Sequence, residues 1–194
     1  MMSTYKNFED FVRKNNNLFD KHVAKITKID TGENDCIVEF KRPDTSDGAM
    51  VILYIKGYLT FQGDYGNGSF TWYNPRNTLG WMADTGFGYF MSKIQSCEDG
   101  ISGVIMTEYD QDYCIKTIKN YIKEYELDVP DDDWEDATED YFEWVYFLRQ
   151  NGEEYFGQDH YEWTYRAGIT VKTRAYIWKY ALIKAVEFLN IEVQ

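Results

Sequence analysis

The sequence predicts an α+β fold: an N-terminal helix, an antiparallel β-meander of about four strands, then a C-terminal helical half with an acidic amphipathic helix and a buried last helix. Three observations predict it. Short runs with alternating apolar residues, separated by turn-rich stretches, crowd between residues 20 and 75. After Pro75 the apolar spacing lengthens toward the helical period. Residues 170–190 are apolar around most of a helical circumference, as a core helix is.

The first helix is expected over 4–19, with Phe8, Phe11, Val12 and Phe19 near helical spacing and the Asn15-Asn16-Asn17 run loosening its end. Strand character follows at 23–29, 36–41, 50–62 and 69–73. Thr31-Gly32-Glu33-Asn34 and Pro43-Asp44-Thr45-Ser46-Asp47-Gly48 separate these runs, and such short links imply antiparallel neighbours. Gly57 is expected to bend or bulge the long third strand, and Gly63-Asp64-Tyr65-Gly66-Asn67-Gly68 to close a hairpin.

Helices are then expected at 78–83, 87–96 and 110–127, the third ended by Val129-Pro130. The next opens on Asp131-Asp132-Asp133, which supply an N-cap and negative charge at the positive end of the macrodipole, and stops at Asn151-Gly152. Trp134, Ala137, Tyr141, Val145 and Leu148 form its apolar stripe; Asp132, Asp136, Glu139 or Asp140, and Glu143 fall opposite. Residues 153–168 read as an aromatic and acidic connection. In the last helix Val171, Ala175, Trp178, Leu182, Ala185, Val186 and Leu189 recur at helical spacing.

A length of 194 residues suits one domain over 1–194, sheet-rich at 20–75 and helical at 76–194. With 44% hydrophobic and 27% charged residues the composition is globular. No run has the length and apolarity of a membrane span, and the polar N-terminus lacks a signal peptide's apolar stretch, so a cytoplasmic protein is expected. Cys36, Cys97 and Cys114 are odd in number and far apart, and read as reduced core thiols.

The formal charge of −13 is unevenly placed. From Glu124 to Glu162 there are 15 acids and one base, Arg149, a balance of −14; the remaining 18 acids and 19 bases leave +1. Uniform acidity would suggest only solubility, whereas a concentrated block asks for a partner.

Motifs for catalysis are thin. Glu39-Phe40-Lys41, with Asp30 or Asp35 upstream, has the acid-x-Lys spacing of metal-dependent nucleases, but alternating acid and lysine on a strand's solvent face is ordinary. The glycines of 63–68 precede a strand and lack a P-loop lysine, so a hairpin explains them better than a phosphate cradle. His160 has carboxylates beside it in sequence that could raise its pKa, and His22 follows the first helix; both read as surface or structural. No Ser elbow, Cys/His pairing or EF-hand loop is legible. No catalytic residue, metal or cofactor is assigned, and none is expected to be needed.

The acidic block remains, interleaved with aromatic residues. Its candidate partner-binding residues are Asp131, Asp132, Asp133, Glu135, Asp136, Glu139, Asp140, Glu143, Trp144, Glu153, Glu154, Tyr155 and Asp159. Clustered carboxylates can imitate nucleic-acid phosphates in a groove lined by Lys and Arg, with the aromatics as anchors. The plainer alternative is a solvated helix face that keeps the protein soluble, its aromatics turned inward.

Tyr58-Leu59-Thr60-Phe61-Gln62-Gly63-Asp64-Tyr65-Gly66, then Phe70-Thr71-Trp72, then Tyr89-Phe90-Met91-Ser92-Lys93-Ile94 resemble a pattern in small uncharacterised proteins of phages and prophages, over roughly residues 50–100. The resemblance implies a mobile-element origin and action in a bacterial host cell. Small acidic phage proteins without enzyme motifs are frequently inhibitors of host defence, anti-CRISPR proteins among them. The resemblance therefore implies a non-enzymatic inhibitor that binds a host nucleic-acid-handling protein, most concretely a CRISPR effector or other defence nuclease, with no direct nucleic-acid or membrane binding. The alternatives are a small metal-dependent nuclease-like enzyme and an acidic regulatory or assembly protein.

Overall fold

The computed structural model describes residues 5–72, 74, 77–97, 100–101, 107–129 and 131–190, the side chains of 100, 101 and 131–133 excepted. Two compact units divide the chain: one is built on Thr107–Val171, the other on Tyr5–Met106 and Lys172–Gln194. The cut does not follow the change from sheet to helix near residue 75.

The sheet belongs to the larger unit. Strands β1 (Val23–Lys28), β2 (Cys36–Lys41), β3 (Met50–Ile55), β4 (Tyr58–Gly63), β5 (Gly68–Thr71), β6 (Ile94–Cys97) and β7 (Gly100–Ile101) follow in sequence order, each antiparallel to the last. The expected meander is present and has seven strands. The stretch 50–62 is a hairpin and not one bent strand: Ile55 pairs with Tyr58 across Lys56 and Gly57, whose φ values are 48° and 89°. Positive φ at both central positions matches the right-handed twist of the flanking strands. A Cβ on Gly57 would also overlap the Trp72 carbonyl. The second difference lies in 87–96, where helix α3 (Phe87–Met91) stops and residues 94–97 pair with the open edge of β5. A glycine-containing helix of five residues is too short to hold by itself, whereas an unpaired edge offers a full ladder of bonds.

Alternate residues of the sheet build the core. Cys36, Val38, Phe40, Met50, Ile52, Tyr54, Leu59, Phe61 and Phe70 are all buried. Helix α7 (Thr173–Leu189) packs on them, and Trp178 stacks on Phe61 at 5.9 Å and meets Phe70 edge-on at 6.0 Å. A Cβ on Gly68 would lie 2.5 Å from the Trp178 ring, so this glycine makes room for it. The Trp178 indole N–H donates to the Tyr65 carbonyl at 3.1 Å. The next residue, Lys179, reaches α2 (Leu79–Asp84), donating to the Met82 and Ala83 carbonyls at 2.7 and 2.9 Å. Burial pushes this ammonium down to about 8, and the two carbonyls at the helix C-terminus keep it partnered. Tyr180 then donates to the Asn16 carbonyl beyond α1 (Phe8–Lys14) at 3.0 Å. This first helix is shorter than the 4–19 expected, because Asn7 caps the Asp10 N–H at 2.8 Å and Asn15 closes the other end.

The smaller unit contains α4 (Gln111–Glu124), α5 (Asp131–Asp136), a 3₁₀ turn at Ala137–Glu139, α6 (Tyr141–Phe156) and two further 3₁₀ turns. A short ladder joins β8 (Thr107–Tyr109) to β9 (Ile169–Val171). The single helix expected from Asp131 to Asn151-Gly152 is two helices. Asp140 is extended, with φ −134° and ψ 145°, and its carboxylate accepts from the Phe142 N–H at 2.7 Å, which starts α6 afresh. The restart shifts the buried stripe to Trp144, Leu148, Gly152 and Phe156, away from Tyr141 and Val145. The helix also runs past Gly152, where the His160 imidazole occupies the space a Cβ would need; Gly157, at φ 84°, follows its end. Trp134, Trp144, Leu148, Phe156, Cys114, Ile118 and Ala167 form the core of this unit.

Among the described residues no helix is long and apolar enough to cross a membrane. Replacing Trp178 by Ala should lower stability by about 3–5 kcal/mol in urea denaturation, as for other buried tryptophans. Tyr58→Ala, at a highly exposed position, should change it by no more than about 0.5 kcal/mol.

Candidate interaction surface

The buried Asp35 carboxylate accepts from the Thr31 hydroxyl at 2.7 Å and the Lys56 N–H at 2.8 Å, which ties the β1–β2 turn to the β3–β4 turn. The Lys56 N–H bond, then the Thr31 hydroxyl, hold its pKa below the usual carboxylate value. Asp35 thus serves a turn. Glu39 and Lys41 stand exposed on β2, and Glu39 lies four residues along, about 13 Å at strand spacing. Asp30 is exposed in the β1–β2 connection. No group of three His, Cys, Asp or Glu side chains among the described residues is placed to hold a metal ion. The Gly63 to Gly68 stretch is the β4–β5 connection, with Phe61 opposite Gly68.

Both histidines lie against packed residues. His22 is buried beside Phe19 and Phe40, its Nε2 3.1 Å from the Gly48 carbonyl, and desolvation lowers its pKa. His160 packs on Gly152 with Nδ1 3.2 Å from the Gly157 carbonyl. Burial lowers its pKa more than Glu153 raises it, which reverses the direction suggested by its sequence neighbours. Cys36 and Cys114 are buried thiols, the latter pushed up to about 11 by desolvation, while Cys97 is partly exposed.

The acidic candidates divide by position. Asp136, Glu139, Asp140, Glu143, Glu153, Glu154 and Asp159 are exposed. Glu135 is partly buried and ion-paired with Lys119 of α4, and Asp140 doubles as the cap of α6. The side chains of Asp131, Asp132 and Asp133 lie outside the described residues. Trp144 is no surface anchor: it is fully buried, and its indole N–H donates to the Thr164 carbonyl at 3.0 Å inside the unit. Tyr155 is half-buried, edge-on to Phe147 at 5.2 Å.

The aromatics that do face outward are others. Phe142 is 79% exposed and Tyr146 68%, one helical turn apart on α6. With Ala137, Phe147, Asn151, Asp136 and Glu143 they line a shallow depression of about 600 Å³. Tyr125 and Tyr161 are also exposed in this unit. The signal that could have found Phe142 and Tyr146 is their i, i+4 spacing on the side of Glu143.

The charge follows the same division. Thr107–Val171 holds 18 acids and 5 bases, a balance of −13, and the rest of the chain holds 15 of each. The whole net charge therefore sits on the smaller unit. No family model matches this chain, and no curated protein or solved structure matches it. What the surface can do follows from its own geometry.

Two substitutions separate core from surface. Trp144→Ala should destabilise the smaller unit by about 3–5 kcal/mol, while Phe142→Ser should stay within about 0.5 kcal/mol of the parent. Chemical denaturation followed by tryptophan fluorescence measures both.

Proposed function

We propose that this chain is a phage-encoded, non-enzymatic inhibitor of a bacterial defence nuclease, a CRISPR effector in the most concrete case, and that it acts in the host cytoplasm. Its smaller unit occupies a basic nucleic-acid channel as a polyanion. The observation that carries the proposal is the confinement of all 13 net negative charges to one compact unit, while the other unit is neutral.

Magnitudes support a mimic at the scale of the unit, not of one helix. A compact unit of 65 residues has a diameter of roughly 28 Å. Duplex DNA of that length carries about 16 phosphate charges, close to the 13 here. Helix α6 alone spans about 24 Å and exposes only Glu143, Glu153 and Glu154, where one DNA strand would present about seven phosphates. A requirement for solubility would not by itself leave the other two-thirds of the chain neutral.

Purified chain added to a panel of CRISPR effector nucleases should suppress cleavage of a target plasmid by at least one of them. Suppression should weaken steeply between roughly 0.15 and 0.5 M salt, where screening shortens from about 8 Å toward a few ångströms. An effector preloaded with DNA should resist, since two polyanions cannot share one groove. Replacing Asp136 and Asp140 by Asn with Glu139 and Glu143 by Gln should weaken suppression markedly in a folded protein. Undiminished suppression by that variant would overturn the assignment of the surface. Metal-dependent cleavage of DNA or RNA by the chain itself, lost in Glu39→Gln, would overturn the non-enzymatic reading.

A further inference from the structure

Phe142 and Tyr146 have the largest exposures among the described large apolar and aromatic residues. Packing within the unit does not account for them, since Trp144 and Leu148 already fill the buried side of the same turns. Rings left outside in this way are characteristic of a docking face. Their surroundings specify what can dock. Asp136 and Glu143 line the same depression, so an anionic or purely apolar occupant would lose the hydration of carboxylates without compensating them. A second copy of the chain, with its smaller unit also at −13, is disfavoured by like charge. Two further exposed rings of the unit, Tyr125 and Tyr161, have glutamates beside them in sequence.

Carboxylates call for a cation; flat ring faces call for a flat cation that sheds water readily. Arginine meets both conditions, because its guanidinium can stack on a ring while its N–H groups fork onto a carboxylate. The lysine ammonium is a strongly hydrated point charge and gains less from the ring. Resting on the docking reading above, we propose that the face of α6 carrying Phe142 and Tyr146 is an arginine-selective docking surface, which takes arginine side chains of a basic protein partner in preference to lysine.

The test uses the full chain with fluorescein-labelled nona-arginine and nona-lysine peptides, titrated by fluorescence anisotropy at roughly 0.15 M salt. Nona-arginine should bind about tenfold more tightly than nona-lysine. In Phe142→Ser/Tyr146→Ser, which removes only exposed rings and no charge, the preference should fall to about twofold or less while nona-lysine affinity holds. Far-UV circular dichroism and an unchanged urea midpoint establish that the variant is folded. Equal affinities in the parent would overturn arginine selection and leave polyanion docking standing. A preference that persists in the double variant would place arginine recognition elsewhere and equally overturn it. If neither peptide binds, the docking reading itself fails. Sedimentation should find the chain monomeric, and a dimer abolished by the double variant would assign the face to self-association instead.

Discussion

Helix α7 is where the larger unit is tied together, and three consecutive residues do most of the tying. Trp178, Lys179 and Tyr180 leave the helix about 100° apart and therefore face three different neighbours. One enters the sheet between Phe61 and Phe70, one caps the C-terminus of α2, and one bonds the chain beyond α1. A helix with a single apolar stripe could satisfy only the first of these. The other two need polar atoms inside, and each arrives with acceptors already waiting: carbonyls at a helix end for the ammonium, and the Asn16 carbonyl for the phenol. The glycine at 68 belongs to the same arrangement, since a side chain at that position would collide with the tryptophan ring. The last helix in sequence thus organises strands laid down more than a hundred residues earlier, and the smaller unit occupies the interval of sequence between them.

A different constraint governs that smaller unit. It must fold with 18 acids among 65 residues, so few positions are left to build a core and self-repulsion opposes compaction. Large aromatic side chains bury the most apolar surface per position, which explains why Trp134, Trp144 and Phe156 form the centre and why Tyr109, Phe147, Tyr155, Trp163 and Tyr165 pack around it. Most of the interleaving of acid and aromatic in the sequence is therefore a folding requirement. Phe142, Tyr146, Tyr125 and Tyr161 are the most exposed of the rings that this requirement does not absorb.

How much of this could be read beforehand depended on whether the signal was local. The alternation of Val38 and Phe40, or the spacing of Ala175, Trp178 and Leu182, depends on each element alone, and those elements lie where the pattern puts them; Val171, which the same spacing assigns to the last helix, instead pairs with Thr107 in β9, and the helix begins at Thr173. The Lys56-Gly57 turn was harder, because lysine is an unusual residue at positive φ and only pairing on both sides reveals the hairpin. Residues 94–97 became a strand because a neighbouring edge was open, which no window of sequence contains. At the surface the acidic positions were legible from composition, but the anchors were not. Asp140 can continue a helix or cap one, and choosing the cap rotates the following residues, which sends Trp144 inward and leaves Phe142 and Tyr146 outside. Gly152 had the same ambiguity: a glycine stops a helix or admits a close neighbour, and here the neighbour is His160, eight residues ahead.

Charge and rings on one face act on different stages of association. Carboxylates act across the Debye length and accelerate encounter with any basic surface, so alone they would give fast, salt-sensitive and poorly discriminating binding. Rings act only in contact, slow dissociation, and discriminate by the shape and hydration of what covers them. On α6 the two are adjacent: Glu143 sits between Phe142 and Tyr146 in the same turns. A cation drawn to the carboxylate is then already within reach of a ring, and the cation that gains from both is planar.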